Sequence, residues 1–155
     1  IDYYYQSNFD KMIEELSQEY YGDIVSQFNK SVNKLPNSIT HIIFGNNFNK
    51  SVDKLPNSLT HLIFDFHSSF NQEMKENVLP NSITHLTFGY EFNQEIKKNV
   101  LPKFLHTLHF GVYFKQEIKN ILPINLHTLT IYQKIKENVY DDICKKINIE
   151  DQNLE

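Results

Sequence analysis

Every proline in this 155-residue chain follows a leucine, and the five pairs recur at nearly even intervals. Leu35-Pro36, Leu55-Pro56, Leu79-Pro80, Leu101-Pro102 and Leu122-Pro123 are separated by steps of 20, 24, 22 and 21 residues. Self-similarity at that period means one supersecondary unit stacked on the next, each burying the apolar face its neighbour cannot bury alone. A chain built this way offers a repetitive surface, so the search for function starts there and not from a catalytic pocket.

Counting each proline as zero, apolar residues fall at +3, +6 and +8. They are Ile39, Ile42, Phe44; Leu59, Leu62, Phe64; Ile83, Leu86, Phe88; Leu105, Leu108, Phe110; and Leu126, Leu129, Ile131. The spacing L-x-x-L-x-L is the strand segment of leucine-rich repeats. Its last two positions alternate with outward residues, as a half-buried strand requires. Successive strands are expected side by side and parallel, about 4.8 Å apart. Gly45, Gly89 and Gly111 follow the strand in three copies, where a positive φ is expected as the chain turns; Asp65 and Tyr132 stand there in the second and fifth.

A second column is Phe28, Phe48, Phe70, Phe92 and Phe114, each with an apolar residue four later: Val32, Val52, Met74, Ile96 and Ile118. These are expected to line the opposite, convex wall as a stacked spine. Asn29, Asn49, Asn71 and Asn93 follow four of the five Phe, with Lys115 after the last. Turn polar groups in a solenoid are partly buried and must be paired, so the row reads as a structural ladder between coils and not as a ligand site.

Phe92-Asn93-Gln94-Glu95-Ile96, together with the run from Leu79-Pro80-Asn81-Ser82 through Ile83-Thr84-His85 to Leu86-Thr87-Phe88-Gly89, resembles FNIP repeats, relatives of the leucine-rich repeat. The resemblance covers about 28–131. Glu95 and Glu117 stand where the family's motif has proline, and the fifth copy ends in Ile131-Tyr132 instead of Phe-Gly. Some members join an F-box to such repeats, which implies substrate capture for a cullin-type ubiquitin ligase. Residues 1–27 are too few to hold an F-box, so the resemblance implies that role only if one lies upstream.

Composition narrows the remaining classes. The chain is 40% hydrophobic and 22% charged, which fits neither disorder nor a membrane span. Its net charge is −4, with lysine as the only strongly basic residue, which argues against a nucleic-acid footprint. Cys144 is the single cysteine, so an intrachain disulfide is impossible and a reducing, cytoplasmic setting is expected. Alanine and arginine are absent while asparagine, lysine and isoleucine abound, a bias read as that of an AT-rich genome. The chain begins at Ile1, not methionine, and is expected to be a processed form or a piece of a longer protein.

The expected architecture is an α/β solenoid, a leucine-rich-repeat-like right-handed coil. It has a parallel sheet on the concave face, a mostly irregular convex side and helical caps at both ends. Phe9, Met12, Ile13 and Leu16 have helical spacing before Gly22, giving an N-terminal cap within 1–27. Five repeats occupy 28–132. A half repeat carrying Ile135 and Val139 follows in 133–155, with a capping helix through Tyr140, Ile143, Cys144 and Ile147. Cys144 reads as a small buried residue of that cap and not as a nucleophile.

Positions +5 and +7 face outward from the strands. They are His41 and Ile43, His61 and Ile63, His85 and Thr87, Thr107 and His109, Thr128 and Thr130. Three histidines stack on consecutive strands before the histidine changes column. No thiolate or carboxylate shares those columns, so a metal site is not expected. Donors, acceptors and apolar contact on a rigid sheet suit a protein or peptide partner instead. Stacked imidazoles should also resist protonation, so acid should loosen the sheet or its complex.

Neither a phosphate-binding loop nor a zinc or hydrolase signature is present. His67, with Asp65, Ser68 and Ser69 near it, supplies hydrolase residue types, but all lie in one loop with no oxyanion logic. The expected function is non-catalytic protein–protein interaction without a cofactor, nucleic acid or membrane. The alternative is a structural repeat whose coil ends or faces self-associate.

Overall fold

The computed structural model describes residues 28–118 and 120–133, together with the backbone course of 143–148. The expected N-terminal helix lies outside them. Five short strands rise one per repeat: β1 (His41–Phe44), β2 (His61–Phe64), β3 (His85–Thr87), β4 (Thr107–Phe110) and β5 (Thr128–Gln133). They pair in chain order and in parallel, with His41 beside His61, His61 beside His85, His85 beside Thr107 and Thr107 beside Thr128. The register is therefore the proline register, and each Leu-Pro pair marks why. The proline carbonyl accepts the N–H of the apolar residue at +3, closing a turn just before every strand at 3.1–3.3 Å.

Leu62, Phe64, Leu86, Leu108 and Phe110 point inward and are fully buried, and the +3 column packs beside them. Phe48, Phe70 and Phe92 are likewise fully buried, with Val32, Val52, Met74 and Ile96 next to them. The first four coils each contribute a face-to-face phenylalanine pair, Phe44–Phe48, Phe64–Phe70, Phe88–Phe92 and Phe110–Phe114, at 3.8–3.9 Å. The core is thus a double aromatic spine through the first four coils, filled at the sides by aliphatic residues.

The spacing between coils is not uniform across the wall. Histidine rings outside the sheet lie 4.1 and 4.2 Å apart. Rings at the strand ends lie 5.3–5.7 Å apart, and those of the back wall 5.9–6.1 Å. Coils that splay toward the back bend the stack, so the outer face of the sheet is the concave one.

The asparagine row is the structural ladder its turn chemistry predicts. Oδ1 of Asn29, Asn49, Asn71 and Asn93 accepts the backbone N–H of Asn49, Asn71, Asn93 and Lys115, respectively, at 2.9–3.1 Å. Side chains of Gln72, Gln94 and Gln116 donate to the last three of those oxygens. Lys115 has no amide to offer onward, and the row ends there.

Two expectations are corrected. Over Ile143–Asn148, where a capping helix was expected, runs a sixth strand, β6, antiparallel to β5, with Gln133 opposite Ile143 and Thr128 opposite Asn148. The last parallel strand presents a row of unpaired backbone groups, and a returning strand satisfies them where a helix could not. The glycine turns also work differently: φ at Gly89 and Gly111 is not in the left-handed region, and the need is for space. A Cβ on Gly89 would meet the Asp65 carbonyl and, at 2.7 Å, the Ser68 Cβ; one on Gly111 would meet the Gly89 carbonyl. Positive φ falls instead at Asn77 and Asn99, at 58° and 63°, in the turns before two Leu-Pro pairs.

Candidate functional site

The concave columns are set by the alternation of each strand, since its inward residues are committed to the spine. His41, His61 and His85 form a continuous imidazole stack with interplanar angles of 13° and 8°. Thr107 and Thr128 continue the column, and Ile43, Ile63, Thr87, His109 and Thr130 form its neighbour. Ile43 is 44% exposed and His41 is exposed; His61, Ile63, His85, Thr87, Thr107, His109 and Thr128 are half-buried. Thr130 is corrected: it is 3% exposed, on the strand that β6 pairs with, and is not available to a partner.

A threonine precedes each stacked histidine and holds its ring. Oγ1 of Thr40, Thr60 and Thr84 lies 2.9 Å from Nδ1 of His41, His61 and His85. Oγ1 of Thr60 also donates to the Thr40 carbonyl at 2.9 Å, and that of Thr84 to the Thr60 carbonyl at 3.3 Å. The threonine is thus anchored to the coil below and orients the imidazole beside it.

Burial, then the neighbouring imidazoles of His85 and His41, lowers the pKa of His61 to about 4. His85 is lowered too, by burial first and then by His106 and His41. A second imidazole pair flanks the column, with His106 and His127 edge to face at 5.3 Å. Their position was passed over in the sequence, although the signal is there: Thr-His in the first three copies becomes His-Thr at His106-Thr107 and His127-Thr128.

Parallel stacking keeps the ring nitrogens from converging on one point. Among the described residues, no group of three or more His, Cys, Asp or Glu is placed to hold a metal ion.

The Asp65, His67 and Ser68 trio is turn structure. Asp65 Oδ1 accepts the His67 N–H, the Asp65 carbonyl accepts the Ser68 N–H, and Ser68 Oγ accepts the Phe70 N–H. Ser68 is fully buried, at the place in the turn that Phe48, Phe92 and Phe114 hold in other coils. It absorbs the two extra residues of the second copy.

Comparison with known proteins agrees with this geometry. The crystal structure of CroV588, described as a novel circular LRR protein, matches with a TM-score of 0.62 and 50% identity. The match covers 72% of this chain and 18% of that one. No curated protein matches. The family model described as FNIP Repeat matches residues 28–66, 52–91 and 92–134, two thirds of the chain in all. A repeat solenoid of leucine-rich-repeat kind, matched across its whole described coil, this chain belongs to the FNIP repeat family.

Proposed function

We propose that the chain is a non-catalytic protein-interaction module that binds a protein partner through its concave sheet. One observation carries this reading: the row of His41, His61 and His85 is half-exposed yet held rigid by stacking and by the threonine anchors. Side chains already ordered lose little freedom on binding, which favours recognition over a merely solvated surface. His61, Ile63, His85 and Thr87 are the central contacts. A role as the substrate-recognition part of a ubiquitin-ligase adaptor belongs to the same proposal, conditional on an F-box upstream. The single cysteine fits an intracellular setting.

The test is affinity capture with the unaltered chain, a His61→Glu/Ile63→Lys variant and a back-wall variant, Lys97→Glu. Capture lost with the first variant and kept with the second supports the reading. Equal capture by all three overturns it.

A second reading, assembly, draws on the neighbour described as a circular LRR protein. Light scattering that gives a concentration-dependent mass for the purified chain would favour that reading.

A further inference from the structure

The contacts at the base of the histidine column bear on which ring nitrogen carries the proton. A threonine hydroxyl has one hydrogen to give. At Thr60 that hydrogen lies on the 2.9 Å line to the Thr40 carbonyl, because two bare oxygens at that distance would repel. The 2.9 Å contact between Thr60 Oγ1 and His61 Nδ1 must then be donated by the ring. Thr84 and His85 repeat the arrangement, with the hydroxyl 3.3 Å from the Thr60 carbonyl and Nδ1 2.9 Å from Thr84 Oγ1. That hydroxyl orientation assigns both rings as Nδ1–H tautomers, in which Nε2 of each keeps an open lone pair in the ring plane.

Nothing among the described hydrogen bonds uses either Nε2. The two rings are 4.2 Å apart and 8° from parallel, so their lone pairs run side by side as a comb of acceptors. His41 extends the stack at 4.1 Å. No lysine and no carboxylate stands in the two concave columns of β1 to β5. The nearest lysines by register are Lys145 and Lys146 on β6, three strands from His85.

We infer that the concave column of His61 and His85 is an acceptor comb for the ammonium or guanidinium groups of a basic peptide segment. This rests on the concave face being the binding face. Each Nε2 accepts one N–H from a basic side chain laid along the column, and donors that carry charge make the stronger hydrogen bonds. A carboxylate laid on the same column would meet lone pair against lone pair. The chain's net charge of −4 favours the same occupant at longer range. The imidazoles remain neutral acceptors at pH 7, since burial and the neighbouring rings of His41, His85 and His106 oppose their protonation.

Two measurements on the full chain test the inference. Long-range proton–nitrogen NMR spectra at pH 7 read the tautomers directly and need no substitution. His61 and His85 should both show protonated Nδ1 and bare Nε2; protonated Nε2 on both rings would overturn the comb. Binding is then measured with hexalysine, hexaarginine and hexaglutamate peptides at physiological salt, for the unaltered chain and for His61→Phe/His85→Phe. Phenylalanine keeps the stack but presents a positively polarised edge where the lone pair was. The basic peptides should bind the unaltered chain and bind the variant at least about tenfold more weakly, a factor worth about 1.4 kcal/mol. Hexaglutamate should bind neither. Basic peptides that bind both proteins equally, that bind neither, or that bind no better than hexaglutamate overturn the proposed occupant. Capture lost in the His61→Glu/Ile63→Lys variant would still stand in each case, so the concave-face reading and the basic-peptide inference fail separately. If the double variant does not fold, the single variant His61→Phe in the same assay removes one tooth of the comb and should weaken hexalysine binding.

Discussion

The rings of Phe64 and Phe70 lie face to face at 3.9 Å, one at the end of a strand and the other on the back wall. Phe70 also stacks on Phe48 and Phe92, at 6.1 and 6.0 Å, so it belongs to three coils at once. Phe70→Ala would open a cavity against rings that cannot collapse without breaking the spine. The expected loss is about 3–5 kcal/mol, read from urea unfolding at equilibrium. A loss under about 1 kcal/mol would mean the spine is not the core.

The asparagine ladder should contribute less, and locally. Asn49 is half-buried and accepts from the Asn71 N–H at 3.1 Å and from Gln72 Nε2 at 2.8 Å. Asn49→Ala leaves both donors short of a partner, with an expected cost of about 1–3 kcal/mol. Hydrogen exchange should show the Asn71 amide losing protection while amides in β4 keep theirs. Protection of Asn71 that does not change would remove the ladder from the list of stabilising features.

Gly89→Ala tests steric need apart from backbone conformation. Its φ allows a side chain, yet a Cβ would press on the Asp65 carbonyl and on Ser68. Overpacking of this kind costs about 1–3 kcal/mol. Asn77→Gly, at a position with φ of 58°, should by contrast be tolerated. A neutral Gly89→Ala with a damaging Asn77→Gly would reverse that assignment.

Acid should destabilise the fold through the histidine column. The folded pKa of His61, about 4, lies below its ordinary value of 6.5, so the unfolded chain binds the proton more readily. The stabilisation is complete above about pH 6.5 and is lost as pH falls toward 4, with His85 acting in the same direction. The melting temperature should therefore be lower at pH 5 than at pH 7.5. The difference should shrink in His61→Phe/His85→Phe. Equal melting temperatures for the unaltered chain at the two pH values would count against the column.

How much of this could be read from the sequence depended on the range of the interaction. The +3, +6 and +8 columns and the Phe row were legible because repetition turns a packing rule into a visible period, and all of them pack in the core. The outward His41, His61 and His85 followed from strand alternation alone. What escaped is non-local or directional. Ile143, Cys144 and Ile147 fit one face of a short helix, and only the unpaired edge of β5 selects a strand there. The threonine anchors and the pairing of His106 with His127 depend on contacts between coils, which a column of letters does not orient. Gly89 was identifiable as a necessary glycine, but its reason, the approach of the coil before it, was not.

The uneven spacing of the rings also sets a scale. A widening of about 2 Å across a wall roughly 10 Å thick turns each coil by about 12°, so a full circle would take about thirty coils. The four steps from β1 to β5 sweep only about one eighth of that circle at this rate. The imidazole column therefore looks out over a wide, shallow trough that a partner can enter from the side. In a longer array of the same coils, every such column would face a common central axis.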